Sequence, residues 1–295
     1  MTSNGSKYKN KNIDGNSFEV KLKAWSDEFL HCPVGFDGRS PQGIIDADLA
    51  QSRQIFKREL PKRKAGESMK SFKTKDDLEL KYWFVEKPGN TKVKILVHGS
   101  GSNFAKADRA VNLLDREYNV AMISYRGHSG NPGKADQKTI ISDVKLAIEN
   151  VIQLGYKMED IYLEGSSLGT ACLAHAMNRI YQASGIENLF AGLILKAAPL
   201  NLNERDKDTL ESLKAAGIDY DKAQPFLRKL WNQEEVYASI RAKEITIVHG
   251  TDDDVVPVEH AHKIKALLER KNTQVSLNII DGEGHMLNLN EYGIY

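Results

Sequence analysis

Five residues near the middle of the chain, Gly165-Ser166-Ser167-Leu168-Gly169, constrain the fold most strongly. Residues 160–164 precede them and are rich in β-branched and aromatic side chains, which favour a short buried strand. Residues 170–181 follow and carry small and apolar side chains at helical spacing, with no proline. A strand that turns sharply into a helix needs residues without bulk on both sides of the apex, because the two elements pack closely there. The two glycines predict such a turn.

Ser167 stands at the apex of this predicted turn. Its side chain would project at the carboxyl end of the strand, with the positive end of the following helix beneath it. Strand, sharp turn and helix form the context of a nucleophile elbow. A glycine-serine loop without a chemical role has the same five letters, so the interpretation depends on the rest of the chain.

Strand and helix patterns alternate from residue 67 almost to the last residue. The first two strand patterns flank a turn and read as a hairpin. Strands that alternate with helices imply a mostly parallel sheet that binds ligands at the carboxyl ends of its strands. The strand patterns cover residues 68–74, 78–85, 93–97, 119–125, 160–164, 189–198, 244–248 and 275–280, and the helix patterns cover residues 136–154, 170–181 and 257–270.

Two stretches depart from this alternation. Residues 1–66 are predicted to form an N-terminal extension that is partly disordered and partly helical, because polar residues dominate its first part. Residues from about 200 to 242 hold helix-like stretches and no strong strand pattern. They are expected either to form a short helical cap above the carboxyl edge of the sheet or to pack along its flank. Residues 67–295 are then one domain with this insertion.

Composition narrows the classes of partner. The 41 basic and 40 acidic residues give a net charge of +1, so nucleic acid and anionic membrane surfaces are not expected as main partners. No run of about 18 apolar residues is present, which predicts no transmembrane segment. The N-terminus lacks the apolar core of a Sec-type signal peptide, so a cytoplasmic location is expected. Export by a route that ignores the N-terminus stays open.

A serine nucleophile needs two further groups, and the chain offers both. A hydroxyl is a weak nucleophile at neutral pH unless an imidazole accepts its proton, and a carboxylate must orient that imidazole. His285 follows the last strand pattern, between glycine and methionine. Three candidate acids, Asp252, Asp253 and Asp254, follow the strand pattern before it. Serine, acid and histidine therefore occur in the order typical of one hydrolase fold.

These motifs together resemble the serine hydrolases of the α/β-hydrolase superfamily. The closest pattern is the small-cap branch with protein depalmitoylases, monoacylglycerol lipases and prolyl-oligopeptidase-like domains. Its acid lies in a segment His-Gly-x-x-Asp-x-Val-Val-Pro, which selects Asp253 here. Tyr125-Arg126-Gly127 and Gly284-His285 match two further motifs of the branch. The resemblance implies an α/β-hydrolase fold: a mostly parallel eight-stranded sheet with helices on both faces and a short helical cap.

The resemblance also implies the roles of individual residues. Ser167, Asp253 and His285 would be the catalytic triad. The oxyanion hole would take one backbone N–H from Leu168, after the nucleophile, and one from Ser100, in the loop after residues 93–97. His128, Leu200 and Trp231 are candidate substrate-binding residues. No metal or organic cofactor is required by this mechanism.

We expect from these observations a serine hydrolase that cleaves a carboxylic ester or thioester through an acyl-enzyme intermediate. Its partner would be a small-molecule acyl ester or another acylated substrate, since the predicted cap is short and largely apolar. Three alternatives remain open at this stage. They are a non-catalytic protein of the same fold that binds a ligand or partner, a peptidase or amidase of this fold, and a lyase or transferase that uses the same three residues.

The other histidines are expected to have structural roles. His98 and His249 precede glycines at strand ends and are predicted to bind loop backbone. His260 and His262 are predicted to face solvent on the helix after Pro257. The acidic run 252–254 lacks the spacing of a calcium loop, so no metal site is predicted there.

Overall fold

The computed structural model describes residues 21–22, 67–99, 118–184, 189–200, 210, 213–214, 216–227, 233–287 and 289–292. Most of the predicted N-terminal extension lies outside these residues. Ser100 and Trp231, and part of the predicted cap, lie outside them as well.

Eight strands form one sheet, in the spatial order β1-β2-β4-β3-β5-β6-β7-β8. Strand β2 runs antiparallel to β1 and β4, and the other neighbours are parallel. The predicted mostly parallel eight-stranded sheet is confirmed, and so is the hairpin at its start. The strands are β1 (Glu67–Lys73), β2 (Glu79–Val85), β3 (Val93–Val97), β4 (Asn119–Ile123), β5 (Ile161–Ser166), β6 (Phe190–Lys196), β7 (Ala242–Gly250) and β8 (Val275–Ile280).

The helices follow the strands closely in sequence. A capping box begins α1: the Asp136 carboxylate accepts the Thr139 N–H at 2.8 Å, and the Thr139 hydroxyl accepts the Asp136 N–H at 2.9 Å. The α-helices are α1 (Gln137–Gln153), α2 (Leu168–Ser184), α3 (Tyr220–Leu227), α4 (Glu234–Tyr237) and α5 (Glu259–Leu268), and the 3₁₀ helices are Met158–Asp160 and Leu289–Tyr292. None of the helices within the described ranges is long and apolar enough to cross a membrane.

One face of the sheet carries the main hydrophobic core. The side chains of Ile95, Leu163 and Ile245 point to this face. Helices α1, α2 and α5 pack against it. Each such buried aliphatic side chain contributes about 1.5–3 kcal/mol relative to exposure. The parallel strands therefore pack against an apolar layer of helices, which fixes the positions of their carboxyl ends.

The opposite face of the sheet carries buried charges. Lys94 on β3 is 2% exposed, and its Nζ lies 4.0 Å from Oε2 of Glu164 on β5. The other carboxylate oxygen of Glu164 lies 3.4 Å from Nζ of Lys196 on β6. Burial lowers the pKa of Lys94, and the charge of Glu164 opposes that change. The Glu164 carboxylate thus lies between two lysines on neighbouring strands and offsets part of their positive charge.

The insertion after β6 contains helices, as the sequence predicts. Helices α3 and α4 lie within it, and Leu213, Ile218 and Ala223 form a small separate cluster of buried apolar residues there. Leu22, from the N-terminal extension, is 2% exposed and belongs to the same cluster. Leu22 therefore packs against residues of the segment between β6 and β7.

Candidate active site

Ser167 occupies a strained turn between β5 and α2. Its φ is 51°, in the left-handed region that few non-glycine residues adopt. The Ser167 N–H donates to the carbonyl of Lys196 at the end of β6, at 2.8 Å. The Ser167 carbonyl accepts the Thr170 N–H at 2.9 Å and the Thr170 hydroxyl at 2.6 Å. Backbone contacts on both sides therefore hold the nucleophile candidate at the carboxyl edge of the sheet.

Glycines surround this turn because no larger residue fits. A Cβ atom on Gly169 would lie 2.2 Å from the carbonyl oxygen of Val97, and one on Gly165 would lie 2.7 Å from the backbone of Thr170. A Cβ on Gly99 would lie 3.2 Å from the Cβ of Ser167. The close packing predicted from Gly165 and Gly169 is present. Gly99, two residues after β3, also lies directly against the serine.

Asp253 and His285 form a hydrogen-bonded pair. The His285 Nδ1 lies 2.9 Å from Oδ2 of Asp253 and 3.0 Å from Oδ1. The loop holds the carboxylate as well, because Oδ1 accepts the N–H groups of Val255 at 3.0 Å and Val256 at 2.8 Å. Asp253 is 9% exposed. The acid that the sequence pattern selects therefore reaches the histidine that follows the last strand.

Electrostatics keep Asp253 ionised. Burial by itself raises the pKa of a carboxyl group, but hydrogen bonds from His249 and His285 outweigh burial and hold the pKa of Asp253 well below its ordinary value. A permanent carboxylate fixes the proton of His285 on Nδ1, which leaves Nε2 as the lone-pair atom. This tautomer is the one that a general base needs.

Strand order brings the serine and the acid–base pair to the same edge. Lys196, which binds the Ser167 N–H, is followed by Ala197, whose N–H donates to Val248 of β7 at 2.9 Å. The loops after β7 and β8 also touch, since the Asp252 N–H donates to the Glu283 carbonyl at 2.9 Å. The structure thus joins Asp253 to His285 and holds Ser167 at the same edge. A single cluster of all three side chains stays a prediction.

The oxyanion-hole candidates are Leu168 and Ser100. Leu168 is the first residue of α2, where N–H groups have no partner within the helix. Ser100 lies outside the described residues, but the residues before it are firmly bound. The Tyr125 hydroxyl donates to the carbonyl of His98, and the His98 ring bonds the Gly99 carbonyl at 2.7 Å and the Ser124 hydroxyl at 2.9 Å. The predicted backbone role of His98 is confirmed by these contacts.

The candidate substrate-binding residues are buried where the structure describes them. His128 is 4% exposed, and its ring lies beside those of His98 and Tyr125, with centroids 5.7 and 5.4 Å away. Burial lowers the pKa of His128, so its imidazole is neutral. Leu200 is 3% exposed and belongs to the main core. Substrate contact by these residues, and by Trp231, stays a prediction.

The prediction that His260 faces solvent is wrong. His260 is 2% exposed, and its Nδ1 accepts the Leu200 N–H at 3.0 Å. The apolar face of α5 packs on the sheet and carries the imidazole inward with it. His262, two residues further on, is exposed as predicted. His249 binds the Val256 carbonyl at 2.8 Å, which confirms its predicted contact with loop backbone.

Arg126, in the Tyr-Arg-Gly motif, binds two carboxylates that the sequence did not predict as its partners. The Arg126 guanidinium binds both carboxylate oxygens of Asp143 on α1, at 2.8 and 2.7 Å, and both of Asp76 in the hairpin, at 2.8 and 3.1 Å. Hydrogen bonding to Arg126 lowers the pKa of Asp76 to about 2. The available signal was Asp143 itself, a charged residue inside the apolar stripe of a predicted helix. The ion pairs anchor the loop after β4.

Within the described ranges, no group of three or more histidine, cysteine, aspartate and glutamate side chains is arranged to hold a metal ion. Asp253, the most constrained carboxylate at the sheet edge, is instead surrounded by hydrogen-bond donors.

Comparison with known proteins identifies the fold and the family. The chain resembles the esterase Pf2001 of Pyrococcus furiosus with a TM-score of 0.59 and 20% identity, over 77% of this chain and 85% of that one. It resembles an acylaminoacyl peptidase of Pyrococcus horikoshii with a TM-score of 0.53 and 18% identity, over 79% of this chain and 39% of that one. It is 26% identical to the protein YfhR of Escherichia coli strain K12 over 220 residues, which are 72% of this chain and 71% of YfhR.

The fold is that of the α/β-hydrolase superfamily, whose enzymes include esterases and peptidases with a serine nucleophile. The family model of the prolyl oligopeptidases matches residues 105–295, more than half of the sequence. The chain belongs to the prolyl oligopeptidase family. Family and fold support a serine hydrolase as the class of this protein.

Proposed function

We propose that the protein cleaves a carboxylic ester or thioester through a covalent acyl-enzyme. The observation that carries this proposal is the Asp253–His285 pair, which stands at the same sheet edge as the strained turn of Ser167. A serine in such a turn presents its hydroxyl above the helix N-terminus, where negative charge is stabilised. The ionised acid supplies the histidine tautomer that accepts a proton from this hydroxyl.

The reaction proceeds in two halves. Oγ of Ser167 attacks the carbonyl carbon while Nε2 of His285 takes its proton, and the N–H groups of Leu168 and Ser100 bind the oxyanion. The tetrahedral intermediate then expels the alcohol or thiol, which receives the proton from His285, and an acyl-Ser167 ester remains. Water gives a proton to His285 and attacks this ester. The second intermediate releases the carboxylic acid, and the proton returns to Oγ.

An acyl ester or thioester is proposed over an amide because the segment between β6 and β7, which is the proposed cap, carries apolar residues. Leu213, Ile218 and Ala223 are buried together in this cap, and an acyl chain would suit such surroundings. The similarity to the esterase Pf2001 supports the same preference. A peptidase of the same fold is the second candidate, supported by the family model and by the similarity to acylaminoacyl peptidase.

Hydrolysis of graded substrates tests the proposal. We expect wild type to hydrolyse p-nitrophenyl esters or acyl thioesters, with a rate that depends on chain length, and to leave matched acylaminoacyl p-nitroanilides intact. Ser167→Ala should lower kcat by up to about 10⁶-fold, as removal of a nucleophilic serine does in other hydrolases. Ser166→Ala, one residue away on β5, is the matched control and should retain activity.

Two outcomes would contradict the proposal. Faster hydrolysis of the anilides than of the esters would favour the peptidase. A folded wild type that hydrolyses none of the substrates, or a Ser167→Ala variant as active as wild type, would favour a protein that binds ligands without catalysis.

A further inference from the structure

A second buried histidine touches the acid of the candidate triad. His249, the second-last residue of β7, is fully buried. Its Nε2 lies 2.8 Å from the carbonyl oxygen of Val256 and 3.2 Å from Oδ2 of Asp253. Both neighbours are hydrogen-bond acceptors. The atom between them must therefore carry a hydrogen, which it shares between the two.

The other ring nitrogen of His249, Nδ1, indicates which of the two nitrogens carries the hydrogen. Among the described residues, Nδ1 of His249 has no hydrogen-bond partner and no access to solvent. A proton on Nδ1 would be a buried donor without an acceptor, which is unfavourable. The contacts of His249 therefore favour a hydrogen on Nε2, through which the ring acts as a donor to Val256 and Asp253.

We propose that His249 is a positioning residue, which holds the carboxylate of Asp253 in the plane that His285 requires. The proposal rests on the proposed function, because it assigns His249 a part in the same reaction. His249 contacts no reacting atom. It acts only through Asp253.

The geometry around Asp253 supports this role. Oδ1 is bound by the two backbone N–H groups of residues 255 and 256, Oδ2 lies 3.2 Å from Nε2 of His249, and Nδ1 of His285 lies within 3.0 Å of both oxygens. Val256 is bound twice, since its N–H reaches Oδ1 and its carbonyl reaches His249. His249 thus closes a small ring of hydrogen bonds through the acid and its loop. Without that donor, His285 would be the one described side chain left on Oδ2, and the orientation of the carboxylate would depend on it and on the backbone contacts of Oδ1.

Two substitutions separate hydrogen bonding from packing. His249→Gln can place an amide N–H near the position of Nε2, whereas His249→Met has similar bulk and no donor. We expect His249→Met to lower kcat about 10- to 100-fold with little change in KM, in line with the loss of a hydrogen bond to a charged group. His249→Gln should recover most of this loss. His175→Met, which removes a partly buried imidazole from α2, is the control and should retain kcat.

Rates are compared per folded molecule, with the folded fraction taken from circular dichroism at the assay temperature. If His249→Met has the kcat of wild type, the imidazole only fills space and the proposal is overturned. If His249→Gln is as slow as His249→Met, the donor is not the property that matters and the proposal is likewise overturned.

Proton NMR gives a readout that does not depend on turnover. We expect a downfield Nδ1–H signal of His285 in wild type and His249→Gln, and its shift or loss in His249→Met. An identical signal in all three proteins would overturn the positioning role even where hydrolysis is seen. Absence of hydrolysis with the expected pattern of signals would refute the proposed function and keep the positioning role.

Discussion

The two halves of the candidate site stand at one sheet edge but are held by different forces. The nucleophile side, Ser167 with Gly99, Gly165 and Gly169, is held by crowding of backbone atoms against one another. The acid–base side, Asp253 with His249 and His285, is held by hydrogen bonds between polar side chains and a loop. Packing places the first half, and polar complementarity places the second.

This difference predicts how each half fails. A larger side chain on the nucleophile side would bring atoms closer than van der Waals contact allows. The main effect should therefore be a loss of folding stability. Removal of a polar group on the acid–base side leaves the packed volume unchanged. The main effect should therefore be a loss of kcat. The predictions below separate these two kinds of failure.

Asp253→Asn should give the largest effect on the acid–base side, and that effect should fall on kcat rather than on stability. The amide can keep the loop contacts of Oδ1 but favours the wrong tautomer of His285, so kcat should fall about 10⁴-fold, as in other triads. Steady-state hydrolysis and thermal unfolding measure the two properties. Asp254→Asn, at an exposed position one residue further on, is the matched control and should leave both unchanged. A fall of less than tenfold in the Asp253 variant would contradict the assignment.

Gly169→Ala should give the largest effect on folding. Its Cβ would lie 2.2 Å from the Val97 carbonyl oxygen, so the helix and strand must move apart, at a cost of about 1–3 kcal/mol or more. Chemical unfolding measures this loss. Gly284→Ala, whose Cβ would meet nothing closer than 3.7 Å, should leave the free energy of unfolding almost unchanged. Equal stability of the two variants would contradict the account of the nucleophile side.

His175→Phe should give a moderate, pH-dependent effect on the nucleophile side. Burial, aided by the charge of Arg179, lowers the pKa of His175 on α2 to about 4, from about 6.5 in an unfolded chain. As pH falls from 6.5 to 4, the unfolded chain binds a proton that the folded chain excludes, so stability is lost over that window. The free energy of unfolding should decline less steeply over this window in His175→Phe than in wild type. Equal slopes would refute the prediction.

Ser100→Ala should give the smallest effect. The resemblance assigns the backbone N–H of Ser100 to the oxyanion hole, and this substitution keeps that group. We expect kcat to change less than about tenfold, against the 10²–10³-fold typical of a lost oxyanion donor. A loss in that larger range would show that the hydroxyl takes part directly.

Local patterns predicted the sheet and the nucleophile side well. The strand pattern at residues 275–280 coincides with β8, and the helix pattern at 136–154 coincides with α1 and its two caps. Gly165 and Gly169 predicted a tightly packed turn, because a glycine can be read from the sequence directly and is required where no side chain fits. The position of Asp253 followed from a motif of nine residues.

Contacts between segments that are distant along the chain could not be predicted from the sequence. Nothing in the segment 249–257 shows that His249 turns back onto Asp253, since that depends on how β7 ends. The buried group Lys94, Glu164 and Lys196 has no sequence signal, because its three charges come together only through the strand order. His260 was misjudged for the same reason, because which face of α5 meets the sheet is a property of the fold.

Labelling with a fluorophosphonate tests the central claim most directly. Such a probe reacts with a serine hydroxyl only where a base activates it. Peptide mapping of the labelled protein should find the adduct on the peptide that contains Ser167, and labelling should fall sharply in Asp253→Asn. A folded protein that takes up no probe, or an adduct at another residue with Ser167 unmodified, would contradict the account.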